Sequence, residues 1–159
     1  MEASMKRIIH DIFEQFKLID VFRGNFKHEF TLSFSKLAKQ VYQFDRSPEL
    51  DEFIDLMAEE AMRFTEAVIE KDHNYTEYRL VEELKLMNAL LAKNKLSKMH
   101  HQEAQQVRYQ LNELILKHYP ALYELSSFGY RLLDRSVNFF TYRFVAAMQE
   151  ERIKQNELN

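Results

Sequence analysis

Apolar residues return every three or four positions through the opening of the chain, at Met5, Ile8, Ile9, Ile12, Phe16, Ile19 and Phe22. That spacing puts them on one face of an α-helix and predicts a helix from Ser4 to Arg23. Gly24 and Asn25 are expected to close it, because both tolerate the left-handed backbone of a helix C-terminus. Phe26 to Phe44 carries two patterns at once. Phe30, Leu32 and Phe34 alternate as in a strand, whereas Phe26, Phe30, Phe34, Leu37, Val41 and Phe44 form a helical stripe. A lone strand would have nothing to pair with elsewhere in the chain, so the segment is read as helix.

Ser47-Pro48-Glu49 supplies an N-cap serine, a proline at the first helical position and an acid in the first turn, so a third helix starts at Pro48. Its stripe of Leu50, Ile54, Met57, Ala61, Phe64 and Val68 runs to about Lys71, and Asp72-His73-Asn74 reads as a turn. A fourth helix is expected from Thr76 to Asn94, with Tyr78, Val81, Leu84, Met87 and Leu91 as its stripe. Ser97 looks like the N-cap of a fifth, whose narrow seam of Ala104, Val107, Leu111 and Leu114 suits the edge of a bundle. After the break at Tyr119-Pro120, a short helix is expected over 121–128, ahead of Gly129. The last helix, Tyr130 to Lys154, carries Leu132, Leu133, Val137, Phe139, Phe140, Phe144, Val145, Ala147 and Met148 around more than one face, which predicts a central position. Residues 155–159 are polar and read as a frayed tail.

Composition narrows the class. With 2 Gly and 2 Pro in 159 residues, the turns that sheets require are scarce, and no glycine spacing suits a phosphate loop. The fold expected is all-α, a single-domain bundle of five to six helices over residues 1–159 with a central C-terminal helix. Cysteine is absent, which excludes disulfides, thiolate metal sites and cysteine nucleophiles and fits a cytoplasmic protein. Lys6, Arg7, Asp11 and Glu14 interrupt the opening apolar pattern, and charges break every other window, so neither a signal peptide nor a membrane span is predicted. Aromatic residues make up 13% of the chain, enough for either a large core or an adhesive surface.

Charge is uneven along the chain. Residues 45–83 hold 13 acids against 4 bases, a net of −9, and residues 85–118 hold 6 bases against 2 acids, a net of +4. Two neighbouring antiparallel helices that attract each other would account for this, and a partner-facing acidic surface at Glu59, Glu66 and Glu70 is the alternative. Lys93, Lys95, Lys98, His100 and His101 could neutralise phosphates, but the net charge of −3 leaves nucleic acid a disfavoured partner. On the last helix Arg131, Arg135, Asn138 and Tyr142 follow steps of four, three and four. If that face is buried its arginines need acids from Asp134 or the third helix; if it opens into a groove they can hold a partner.

Enzyme chemistry finds few footholds. Glu70-Lys71-Asp72-His73 is the one Glu-x-x-His in the chain, where a dinuclear bundle site uses two, so no metal or cofactor is expected. His100 and His118 sit at opposite ends of the fifth helix, about 27 Å apart at 1.5 Å per residue, too far to share a ligand. Glu59-Glu60 and Glu82-Glu83 resemble the metal-binding helices of MazG-like nucleotide pyrophosphohydrolases, with Arg63 and Leu86 standing where that pattern has acids. Arg23-Gly-Asn-Phe-Lys-His28 resembles the Arg-x4-6-His motif of the HEPN family of small helical ribonucleases. The resemblance covers these six residues and implies RNA cleavage by a dimer, with Arg23 and His28 as the catalytic pair. A glycine follows Arg23 where that family commonly has a polar residue.

The reading that uses most of these features is non-enzymatic. It is an interaction or regulatory module that self-associates or binds a partner protein through an aromatic-rich helical groove and an acidic helix face, with Glu59, Glu66, Glu70, Arg131, Arg135 and Tyr142 as contact residues. The alternatives are the HEPN-like ribonuclease and an inhibitor whose acidic face imitates nucleic acid.

Overall fold

The computed structural model describes the backbone of residues 2–92 and 101–158, with side chains at Met5, 23–89, 102–122 and 125–157. Among them are five α-helices and no strand. The predicted N-cap Ser97 and the basic cluster at Lys93, Lys95, Lys98 and His100 lie outside the described residues, as does the side chain of His101.

Helix α1 runs unbroken from Glu2 to Tyr42, 41 residues in all, so the expected stop at Gly24-Asn25 is not one. Gly24 keeps an ordinary helical backbone with open space where a Cβ would stand. A glycine inside a helix costs only about 1 kcal/mol, which a continuous apolar face on either side offsets. The stop comes instead at Gln43, left-handed at φ 63°, whose amide donates to the Lys39 carbonyl. The helical stripe read over residues 26–44 is the core of the molecule. Phe26, Phe30 and Phe34 are fully buried, Phe30 stacks on Phe34 at 4.3 Å between ring centroids, and Phe34 meets Phe144 edge-on at 5.1 Å.

Helix α2 spans Pro48–Glu70 as the sequence predicts, with Ser47 Oγ accepting from the Leu50 amide at 3.1 Å. Ile54, Met57, Ala61, Phe64 and Val68 are all buried. Lys71 caps it in the left-handed region. Helix α3 spans His73–Ala92, and what reads as a turn is its N-terminus, since Asp72 accepts from the Tyr75 amide at 3.2 Å. Helix α4 spans His101–His118 and buries the predicted seam of Ala104, Val107, Leu111 and Leu114. The short helix expected over 121–128 is instead a single 3₁₀ turn, Pro120–Glu124. Helix α5 then starts early, spanning Ser127–Leu158, because Ser126 Oγ accepts from the Gly129 amide at 3.2 Å. Residues 155–158, read as tail, continue this helix.

Side-chain contacts set the helix directions. Arg23 meets Glu66 and Lys27 meets Asp55, so α2 is antiparallel to α1. Lys117 meets Glu29 and Tyr42 meets Glu103, so α4 is antiparallel to it as well. Phe34 touches Phe144 and Arg152 reaches the Val41 carbonyl, which makes α5 parallel to α1. His73 lies against Phe128 while Glu83 meets Arg143, so α3 is parallel to α5. Helix α5 packs on α2, α3 and α4 and also touches α1.

Helix α3 departs furthest from its pattern. An apolar stripe normally faces the core. Here Tyr78, Val81 and Leu84 are 60%, 48% and 53% exposed, while Thr76 and Glu83 are buried. The polar positions 76, 79 and 83 recur at three and four residues, so they share a face, and it is this face that turns inward.

Candidate partner-binding groove

The inward face of α3 is held by charge. Glu60 on α2, Arg79 and Glu83 on α3 and Arg143 on α5 converge in one cluster. Glu83 Oε1 accepts from Arg79 Nη2 at 2.6 Å and from Arg143 Nη1 at 3.0 Å, and Arg143 and Arg79 both also reach Glu60 Oε2. Burial pushes the Glu83 carboxyl above the usual carboxylate range, and the two guanidiniums pull against that rise. Two acids and two bases thus pair across three helices, with Glu83 Oε2 alone of the cluster left buried and without a hydrogen-bond partner among the described residues, and this pairing is what lets a polar face enter a core. Arg143 does not stand out in the sequence, and Glu60 and Glu83, which stand out there as members of two acidic pairs resembling metal-binding helices, meet here around two arginines. The available signal was the 76, 79, 83 spacing, which competes on α3 with an equally good apolar one.

With that face committed, Tyr78, Val81, Leu84 and Leu86 of α3 are left exposed. Leu80, Val81 and Leu84 line one wall of an open groove and Phe128, Leu132 and Phe139 of α5 line the other. The groove measures about 810 Å³. His73 closes one end, edge-on to Phe128 with 5.7 Å between ring centroids. Two charged residues stand among the apolar ones, Glu77 from α3 and Arg135 from α5. Both are exposed, and neither makes an ion pair with another described residue. The surface is concave and largely apolar with a few polar groups, the character of a recognition site.

Most of the acidic excess on α2 is spent within the molecule. Arg23 forks onto Glu66 at 3.0 and 2.9 Å, and Glu66 also accepts from the Tyr119 hydroxyl. Burial, and then Glu66, push the Tyr119 hydroxyl pKa up. Lys27 bridges Glu59 at 2.6 Å and Asp55 at 3.2 Å. Among the described residues, therefore, the bases that complement α2 come from α1, α3, α5 and, at Arg46, the connection ahead of α2, and none comes from residues 85–118, the segment expected to supply them. A further seam joins α1, α4 and α5. Glu103 accepts from the Tyr42 hydroxyl and from Gln149, each at 2.8 Å, while Arg152 lies over the Tyr42 ring at 4.8 Å.

The predicted contact residues are scattered by the fold. Glu59 and Glu66 line the α1–α2 seam and Glu70 is exposed at the end of α2. Arg131 and Arg135 are exposed, and Tyr142 is half-buried against the core. Internal pairing of Arg131 and Arg135 is thus corrected: the arginines of α5 that pair with acids of other helices are Arg143, the residue after Tyr142, and Arg152, which lies 3.8 Å from Glu103. Arg135 takes the other course and borders the groove. Arg23 is tied to Glu66, and His28, five residues further round α1, is exposed, so the two do not converge within one copy. Among the described residues no three His, Asp or Glu side chains gather as a metal would require, Glu70 and His73 included. No helix, among the described residues, is long and apolar enough to cross a membrane. Comparison with protein families, with curated proteins and with solved structures finds no match to this chain. The fold defines the class alone: an all-α bundle.

Proposed function

We propose that the chain is a non-enzymatic interaction module whose contact surface is the groove between α3 and α5. One observation carries this reading: α3 turns a charged face inward and holds Val81 and Leu84 outward beside Phe128, against the usual sense of amphipathic packing. Covering such a surface removes apolar area from water, the main favourable term in association. The acidic helix face is the weaker part of the earlier expectation, since Glu59 and Glu66 are already bound to Lys27 and Arg23. The test is site-specific photo-crosslinking in cells, with a benzophenone side chain placed at Leu84, at Phe128 and, as an exposed control, at His28. The proposal expects polypeptide adducts from positions 84 and 128 and few from 28. Equal labelling at all three, or none at 84 and 128, would overturn it.

A further inference from the structure

Resting on that reading, we infer that the occupant of the groove is a second copy of this chain, docked about a two-fold axis running along α3 and α5. Helices α3 and α5 are parallel, joined by the His73–Phe128 contact near their starts and by the Glu83–Arg143 bridge further along both. Glu77 and Arg135 lie between those contacts, one from each helix, and both line the groove. A two-fold rotation about the helix direction lays α3 of one copy over α5 of the other without sliding either along its length. Glu77 of each copy then faces Arg135 of the other, and the six apolar groove residues close between the two pairs. Opposite charges that have no ion-pair partner among the described residues of the single chain thereby find one, and the apolar walls find cover. The charges set register and exclude a misaligned pairing, and the apolar contact supplies most of the affinity.

Charge exchange distinguishes this geometry from any other. Glu77→Arg leaves a copy with two bases at the groove, and Arg135→Glu leaves one with two acids. Neither variant can pair with itself, but each complements the other. In sedimentation velocity, with circular dichroism confirming that the helices are intact, the parent chain should be a dimer. Each variant alone should dissociate with a Kd raised about tenfold or more, and an equimolar mixture should recover the dimer. A parent that stays monomeric while positions 84 and 128 crosslink to a different polypeptide would overturn the second-copy assignment and leave the groove's binding role standing. A dimeric parent indifferent to both substitutions, or variants that fail to combine, would overturn the two-fold geometry.

Discussion

Helices α2 and α3 are neighbours of similar length, 23 and 20 residues, and each carries an apolar stripe at helical spacing. Yet α2 buries its stripe and α3 exposes much of its own. The difference lies in what the opposite face of each helix can find. The remaining side of α2 carries acids that stay near water and meet Lys27 and Arg23 at the rim. The polar side of α3 meets Arg143 and Glu60, already positioned at the α2–α5 seam, and four charges neutralise one another there. Periodicity therefore reports that a helix has two unlike faces. Which face goes inward depends on partners from distant parts of the chain.

The largest expected effect tests the charged anchor. Arg143→Leu leaves Glu83 buried with Arg79 as its remaining guanidinium and should cost about 3 to 5 kcal/mol in urea denaturation, as does breaking a buried ion pair from one side. A loss near zero would mean α3 is held by something else. Next, the two stripes can be compared directly. Ile54→Ala on α2 should cost about 2 to 5 kcal/mol, whereas Leu84→Ala on α3 should stay within about 0.5 kcal/mol for the monomer. Equal costs would dissolve the contrast. A third test uses pH. Because burial raises the Glu83 carboxyl, the folded chain holds that proton to higher pH than the unfolded chain does. Its contribution is full below the ordinary carboxylate range and declines as pH climbs through the raised value. Measured against Glu83→Gln, the parent's relative stability should fall across that window; a rise would reverse the assignment. The smallest effect belongs to the rim of α2. Arg23→Ala breaks an exposed fork and should cost no more than about 1 kcal/mol in thermal melts.

Local chemistry made much of the fold legible. Ser47-Pro48 marks the start of α2 because cap and proline act within one turn, and the Phe26, Phe30, Phe34 stripe marks the core because those rings have nowhere else to go. Boundaries failed where a residue's usual habit was weaker than its surroundings. Gly24 was read as a stop although the apolar pattern continued past it, and Asp72-His73 was read as a turn although aspartate is a good N-cap. The groove was half legible. Arg135, Val81 and Leu84 were singled out, but their meeting depends on the inward face of α3, and that depends on Arg143, sixty residues away from Glu83 in the chain. No spacing rule reaches that far.

The two helix stops at Gln43 and Lys71 have a consequence for the unfolded chain. Both residues adopt a left-handed backbone that glycine takes at no steric cost, while Gly24 occupies an open, right-handed helical position that alanine would fill. The molecule thus keeps its most flexible residue where flexibility is lost on folding and places side-chain-bearing residues where strain is incurred. Exchanging those assignments touches none of the core contacts. It leaves the protein a reserve of stability that selection has not drawn on, written into backbone entropy and not into packing.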